Sequence, residues 1–346
     1  MSGPGGRITL DWLKYIAYCT LCQEIFYSQS ALFGMLAYYF ALFEGETEKE
    51  IPNMYIVTCC STVDLSEEYL RSRGIRCLPF HYDLGGTTYL DDFGKTIPLT
   101  EFYDAMRNGA ETRTSQINID EYYHFFKGIF EEGYDILHIA FSSGLSGSIN
   151  SANNARAMLE EEFPDRKLII IDSLSASAGH GLVADYAADL LAEGVSLEDA
   201  AARVEERRKH ANGWFFTTTL KYLVRGGRVS KAAGLIGDTL GICPLLNINS
   251  EGHLIPREKI RTKKKVMAAL VSRMLQVAEG GADYVGPCHL CHSDCLDDAN
   301  AVIALIEEKF PNLRGKVELH EVGTIIGSHT GPGTIGAFFW GAENTL

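Results

Sequence analysis

Beyond residue 50 the apolar positions of the chain alternate between two periods. Residues 54–58 (MYIVT) form a short, nearly unbroken apolar run, the pattern of a buried strand, and residues 66–73 follow with helical spacing behind a capping serine, Ser66. Residues 75–80 predict a second short strand. Residues 100–108 and 119–132 predict helices, the latter with Asp120 and Glu121 in its first turn, where the helix dipole favours acidic groups. Residues 135–141 (DILHIAF) predict a strand that passes through a Gly/Ser turn into an Ala-rich helix over 148–162. Residues 167–172 (KLIIID) are apolar almost throughout, as expected of a central parallel strand covered on both faces, and a helix over 179–193 follows. Repeated strand–helix–strand order points to an open parallel α/β sheet.

The second half has a different texture. Ser196 to Asp199 (SLED) reads as a capping box opening a helix to about residue 210, whose Glu198, Glu205, Glu206, Arg207, Arg208 and Lys209 look like a solvent-facing connection. A strand is expected from residue 214, then a Gly-rich turn, a helix near 231–240 and a β-ribbon over 244–248 and 253–261. A helix over 264–279, two strands flanking a helix over 297–310, and a last strand reaching about residue 328 complete the pattern. This is an α+β arrangement, and it places a boundary near residue 212. The expected organisation is a helical extension over 1–51, a parallel α/β domain over 52–212 and an α+β domain over 213–346. Self-similarity at solenoid periods is absent from the sequence.

The extension stands apart. Residues 1–6 carry no basic cluster, and Asp11, Lys14 and Glu24 interrupt the apolar run that follows, so a secretory signal is not expected. Residues 25–43 pass without a charge, about the length a membrane span requires. Ser28, Gln29, Ser30, Gly34, Tyr38 and Tyr39 dilute that run, and no Lys or Arg flanks it. A helix packed on its own domain or on a partner subunit is the first reading; an interfacial helix and a true span are the alternatives. Residues 44–50 (EGETEKE) read as a solvated linker.

Composition narrows the classes. Hydrophobic residues make up 46% and charged residues 22%, which is ordinary for a globular chain. Forty-five acidic against 31 basic side chains leave a net charge of −14, which argues against a nucleic-acid backbone binder. Nine cysteines, several adjacent or inside apolar runs, read as reduced thiols of a cytoplasmic protein.

Four polar segments fall where elements end, the usual place for ligands in open α/β sheets. They are Cys59 to Thr62 (CCST), Arg113 to Gln116 (RTSQ), Phe141 to Ser148 (FSSGLSGS) and Gly327 to Gly333 (GSHTGPG). Each offers hydroxyls or free backbone N–H groups at a turn or helix start. Singly each reads as a cap; together they favour a small-anion site.

Taken in order, the hydroxyl-rich turn before Asp64, the TSQ at 114–116, SSGLSGS at 142–148, IDS at 171–173, LVRGGRVS at 223–230 and SHTGPG at 328–333 resemble the DegV family over about residues 53–340. The resemblance implies two α/β domains holding one long-chain fatty acid in a tunnel between them. It also implies a non-catalytic binding subunit, without cofactor, that presents the fatty-acid carboxylate to a separate ATP-dependent fatty acid kinase subunit. The family's carboxylate contacts fall on Thr114 or Ser115, on Ser142 or Ser143, and on His329; the arginine of its GGR turn falls on Arg228. Hydroxyl donors and a protonatable imidazole suit an acceptor-only carboxylate. Where the family often has Asp in its first turn, this chain has Cys60.

Other signals compete. Gly331 to Gly336 matches GxGxxG but leaves too little chain for a dinucleotide-binding unit. Cys288, His289, Cys291, His292 and Cys295 are dense enough for zinc, yet no second ligand pair follows, so reduced thiols at a strand end are the expectation and no metal is assigned. Ser143 with His329 would make a hydrolytic dyad, so a Ser/His lipid acyl hydrolase in the same tunnel is the alternative function, without an evident acidic orienter. Arg261 to Lys265 (RTKKK) is the basic run of the chain. It reads as a solvated helix start, with a partner or transient membrane-surface contact as the second reading.

Overall fold

The computed structural model describes residues 55–230 and 241–343; the predicted extension over 1–51 and the helix near 231–240 lie outside the described residues. The chain begins with β1 (Tyr55–Cys60), a 3-10 turn (Ser61–Val63) and helix α1 (Glu67–Ser72), whose N-terminus is capped by Ser66 Oγ accepting from the Tyr69 amide. Strands β2 (Arg76–Leu78), β3 (His81–Leu84) and β4 (Thr87–Leu90), helix α2 (Leu99–Arg107) and strand β5 (Thr112–Ser115) follow. Then come α3 (Ile119–Glu131), β6 (Asp135–Ala140), α4 (Ser148–Glu162), β7 (Leu168–Asp172), α5 (Ala178–Ala192) and α6 (Leu197–Arg207). The remainder comprises β8 (Ala211–Phe216), α7 (Lys221–Arg225), β9 (Ile242–Ile248), β10 (Leu254–Arg261), α8 (Lys263–Val277), β11 (Cys288–His292), α9 (Leu296–Lys309), β12 (Val317–Glu321), α10 (Thr324–Thr330) and β13 (Ile335–Trp340).

Three sheets organise these elements. A four-stranded parallel sheet runs in the order β2-β1-β6-β7, and a six-stranded mixed sheet runs β10-β9-β8-β13-β11-β12, with β11 and β12 its parallel pair. This is a mixed α/β fold with one parallel sheet and a separate mixed sheet. Helix α5 explains how the two sheets share a core. Its sequence (AGHGLVADYAADLLA) is apolar on nearly every side and almost all of it is buried, as a helix must be when sheets lie against both faces. It packs against β1 and β6 on one side and β8, β11 and β13 on the other. Helix α6 is amphipathic and covers β6 and β7.

A third, three-stranded antiparallel sheet, β4-β3-β5, was not expected. It corrects the reading of residues 113–116 as a turn: Arg113, Thr114 and Ser115 are strand residues, with Thr114 opposite Tyr82 and Ser115 opposite His81. The last expected strand also needs correction. It ends at Glu321, and residues 324–330 form α10, so His329 sits in the last turn of a helix. The N-terminus of that helix is held from a distance. The Gly323 amide donates to Asp64 Oδ1 at 2.9 Å, and the Thr324 hydroxyl donates to Asp91 Oδ1 at 2.7 Å. These bonds favour helix over the strand that its β-branched residues would otherwise prefer. The GxGxxG match runs from the end of α10 into the centre of the mixed sheet, where Gly336 faces Phe215 and Cys291.

Among the described residues no helix is long and apolar enough to cross a membrane, and every cysteine is free.

Candidate functional site

A cavity of about 240 Å³ lies between the parallel and mixed sheets. Its walls are mostly apolar: Phe80, Phe141, Leu145, Phe215, Leu223, Ile248, Leu254, Ile325 and Phe338 line it. Polar groups gather on one rim, from Thr114, Ser115 and Gln116 of the small sheet, Ser146 of the turn after β6, Arg228 after α7 and His329 of α10. Thr114 is half-buried while Ser115 and Gln116 are exposed, so this rim reaches solvent.

The rim is built by close approach of α7 and α10. Gly226 ends α7, and a Cβ there would stand 2.1 Å from His329 Nδ1; only glycine admits the imidazole. Gly331 ends α10 with φ +77°, and a side chain there would strike the Tyr222 ring at 2.2 Å. The GGR and HTG segments therefore owe their glycines to one contact between two short helices. Within it, His329 Nε2 lies 2.8 Å from Thr114 Oγ1. Thr112, on the same face of β5, accepts from Arg225 Nη2 at 3.0 Å, which ties the small sheet to α7.

The electrostatics of the rim are unbalanced. Arg228 donates through Nε to the Leu145 carbonyl at 3.2 Å and through Nη1 to the Gly226 carbonyl. No carboxylate pairs with it among the described residues, and burial lowers its pKa.. Burial, with the neighbouring charges of Arg228 and Arg225, holds His329 down to about 3, so its imidazole is neutral at pH 7. Its Nδ1 is buried with no hydrogen-bond partner. Among the described residues the rim thus collects a partly buried cation and hydroxyl donors beside an apolar chamber, groups that suit an acceptor-only anion.

In the cavity wall, Ser177 has an unusual backbone (φ 53°, ψ −146°) and donates its hydroxyl to Asp64 Oδ2, which stands behind it. Burial pushes Asp64 up to about 8, against the pull of its bonds to Ser177 and Gly323, with Asp91 adding to the rise. Asp64 and Asp91 thus position α10, and through it His329. Neither was singled out for that role from the sequence, where the available signal was an aspartate in a hydroxyl-rich segment directly after the first strand run; in the structure Asp64 turns left-handed there (φ 50°).

Four of the expected contact residues, Thr114, Ser115, Arg228 and His329, come together on the cavity. Ser142 and Ser143 do not line it. The Ser142 hydroxyl is consumed by the turn, donating to the Gly252 carbonyl at 2.9 Å and accepting from the Gly144 amide at 3.2 Å. Ser143 is exposed, its amide donating to Asp172. The same turn supplies Leu145, Ser146 and Gly147 instead. This separates Ser143 from His329, whose ring is committed to Thr114, and leaves the hydrolytic dyad without its serine. Cys60 is likewise away from the cavity: its thiol contacts the Tyr122 hydroxyl at 3.2 Å, and burial pushes it up to about 12. The thiols of the 288–295 segment diverge. Cys288 and Cys291 occupy positions of opposite facing on β11, Cys295 precedes α9, and burial pushes Cys288 up to about 12 and Cys295 to about 11. Among the described residues these thiols join no cluster of metal-ligand groups.

An apolar chamber between two sheets, with hydroxyls, a neutral imidazole and a guanidinium that pairs with no carboxylate among the described residues at its wet rim, is the candidate site of this mixed α/β protein. The chain belongs to the DegV family. Residues 55–341 match the family model described as uncharacterised protein, DegV family COG1307. A DegV domain-containing protein of Clostridium perfringens is 32% identical over 287 residues, spanning 83% of this chain and 97% of its own length. A solved DegV family protein from Thermus thermophilus, described for its fatty acid binding, has 29% identity and a TM-score of 0.73 over 83% of this chain and 99% of its own. DegV of Bacillus subtilis, described as a fatty acid binding protein, has 26% identity and a TM-score of 0.71 over 84% and 99%.

Proposed function

We propose that this chain encloses one long-chain fatty acid, its tail in the apolar cavity and its carboxylate against Arg228 and Thr114, with His329 orienting Thr114. The observation that carries this reading is Arg228: a partly buried cation at the polar rim of an apolar chamber, paired with no carboxylate among the described residues. The tail contributes about 0.8 kcal/mol per buried methylene without needing specific contacts. The head needs donors. With the ring proton of His329 on Nε2, that nitrogen donates to Thr114 Oγ1 and leaves the Thr114 O–H to donate to the ligand. Arg225 and Arg228 favour this neutral state, because a proton on Nδ1 as well would put a third positive charge beside them. His329 is then a positioning residue, and Arg228 and Thr114 touch the carboxylate.

In this reading residues 52–212 and 213–346 are the two domains that flank the ligand, and the protein is a cytoplasmic carrier that does no chemistry itself. The exposed Ser115 and Gln116 at the same rim put the carboxylate within reach of a second protein, in keeping with presentation to an ATP-using fatty acid kinase subunit. The known fatty acid binding of the Thermus thermophilus and Bacillus subtilis relatives supports the ligand class.

Native mass spectrometry of the purified full chain, followed by solvent extraction, tests the proposal. One fatty acid per chain is expected, and Arg228→Leu should lose it while remaining folded. A wild-type chain that carries no lipid and takes none up after delipidation overturns the carrier reading. Acyl-phosphate should form only when a kinase subunit and ATP are added; ester cleavage by the chain alone would restore the hydrolase.

A further inference from the structure

The parallel pairing of β11 and β12 sets His289 opposite Glu318 and Cys291 opposite His320. Side chains two apart on a strand share a face, so His289, Glu318 and His320 meet on one side of the sheet. They are not part of the cavity lining. His289 Nδ1 lies 3.1 Å from His320 Nε2 and 3.5 Å from Glu318 Oε2, and His320 Nε2 lies 3.8 Å from the same oxygen. We propose that these three atoms bind one divalent cation of zinc type, with the fourth position left to water.

The spacing is the first argument. Zinc holds imidazole and carboxylate ligands at about 2.0–2.2 Å, and tetrahedral ligands at that radius stand roughly 3.3–3.6 Å apart. The observed triangle has those edges to within a few tenths of an ångström. The donor set is the second. Two imidazoles and one carboxylate suit zinc and its d-block neighbours, whereas magnesium and calcium prefer oxygen throughout. Third, the metal-free pair is poorly satisfied. Two ring nitrogens face each other at 3.1 Å and only one of them can donate, so the pair relies on a single shared proton, whereas a cation between them accepts both lone pairs at once.

The surroundings hold the triad in place and supply charge. The Tyr69 ring stands edge-on to both imidazoles, with centroids 6.2 and 6.1 Å away. Glu318 lies near Asp185 and Arg73, and Arg73 is itself bound to Asp185 and Asp189, so three carboxylates face one guanidinium. A divalent ion offsets that excess. Glu318 is exposed, which gives the ion a path from solvent.

The experiment is equilibrium titration of the full chain with Zn²⁺ alone, in a reductant that does not chelate metals, for wild type, Glu318→Gln and His320→Ala. One site per wild-type chain is expected. Loss of a supporting group around a metal costs about 10–100-fold in affinity, so loss of a direct ligand should cost at least about 100-fold. Cobalt(II) in the same site should show four-coordinate ligand-field absorption without thiolate-to-metal bands, which distinguishes this triad from the buried cysteines. Should His320→Ala unfold, the exposed Glu318→Gln decides alone. Absence of binding at micromolar zinc, binding undiminished in Glu318→Gln, or thiolate bands would each overturn the assignment.

Discussion

Gly226→Ala isolates the contact on which the rim depends. Gly226 has φ −74° and ψ −8°, a backbone that alanine adopts freely, so the substitution acts only through its new methyl group. That methyl would lie 2.1 Å from His329 Nδ1 and 2.8 Å from Cε1. Carbon contacts settle near about 3.5 Å, so the ring must retreat by about 1.4 Å. It cannot slide forward, because Thr114 Oγ1 already stands 2.8 Å from Nε2 on the far side. The imidazole therefore leaves its slot, and Thr114 loses the partner that orients its hydroxyl. The lost bond corresponds to about 1–1.5 kcal/mol, or roughly 5–10-fold in fatty-acid Kd. Overpacking should cost about 1–3 kcal/mol of stability besides. Gly128→Ala is the control, since it lies inside α3 with nothing within 4 Å of the added methyl. There alanine should gain about 0.5–1 kcal/mol and leave binding unchanged. Displacement of a fluorescent fatty acid, with thermal denaturation alongside, reads both effects. If Gly226→Ala binds like wild type and matches Gly128→Ala in Tm, the clamp on His329 is not what orders the rim.

Further predictions concern the groups behind and beside the cavity. Burial raises Asp64 to about 8, so the folded chain holds a proton there that the unfolded chain releases near pH 4; stability from this group falls as pH rises through 4 to 8. Asp64→Asn keeps an acceptor for the Gly323 amide and gains a donor towards Ser177, so its Tm should exceed wild type at pH 8 and converge with it near pH 4; an unchanged difference across that range refutes the raised pKa. Ser142→Ala leaves the Gly144 amide and the Gly252 carbonyl without their bridge, and should cost about 1–3 kcal/mol of stability with little change in affinity, whereas Thr114→Ala should weaken affinity about 5–10-fold with little change in Tm. Isothermal titration and thermal melts separate the two; the opposite pattern would put Ser142 at the ligand.

Much of the architecture is legible in the chain because β1, β6 and β7 of the parallel sheet are largely apolar runs and several helices carry a start signal. The predicted helix over 148–162 matches α4, and Ser66 and Ser196 cap the helices expected of them. The small sheet escaped because β3, β4 and β5 (HYDL, TTYL, TRTS) are short and polar. Gly85 and Gly86, both with positive φ between β3 and β4, were the local hairpin signal. Helix α10 escaped for a different reason. Its residues TIIGSHT suit a strand, and the bonds that make them helical come from Asp64 and Asp91, more than two hundred positions away. At the site, residue types were readable but directions were not. A turn rich in serine announces hydroxyls; which one faces the ligand depends on the fold of β10's approach, where Gly252 takes Ser142 for itself.

The most direct test of the account compares a long-chain fatty acid with its methyl ester on the delipidated full chain. Both fill the apolar cavity equally, and they differ in the charge that Arg228 and Thr114 are held to meet. A hydrogen bond to a charged group contributes about 1.5–3 kcal/mol, so the acid should bind at least about 10-fold more tightly, and Arg228→Leu should erase the difference. Equal affinity for acid and ester in the wild-type chain would contradict a carboxylate at this rim.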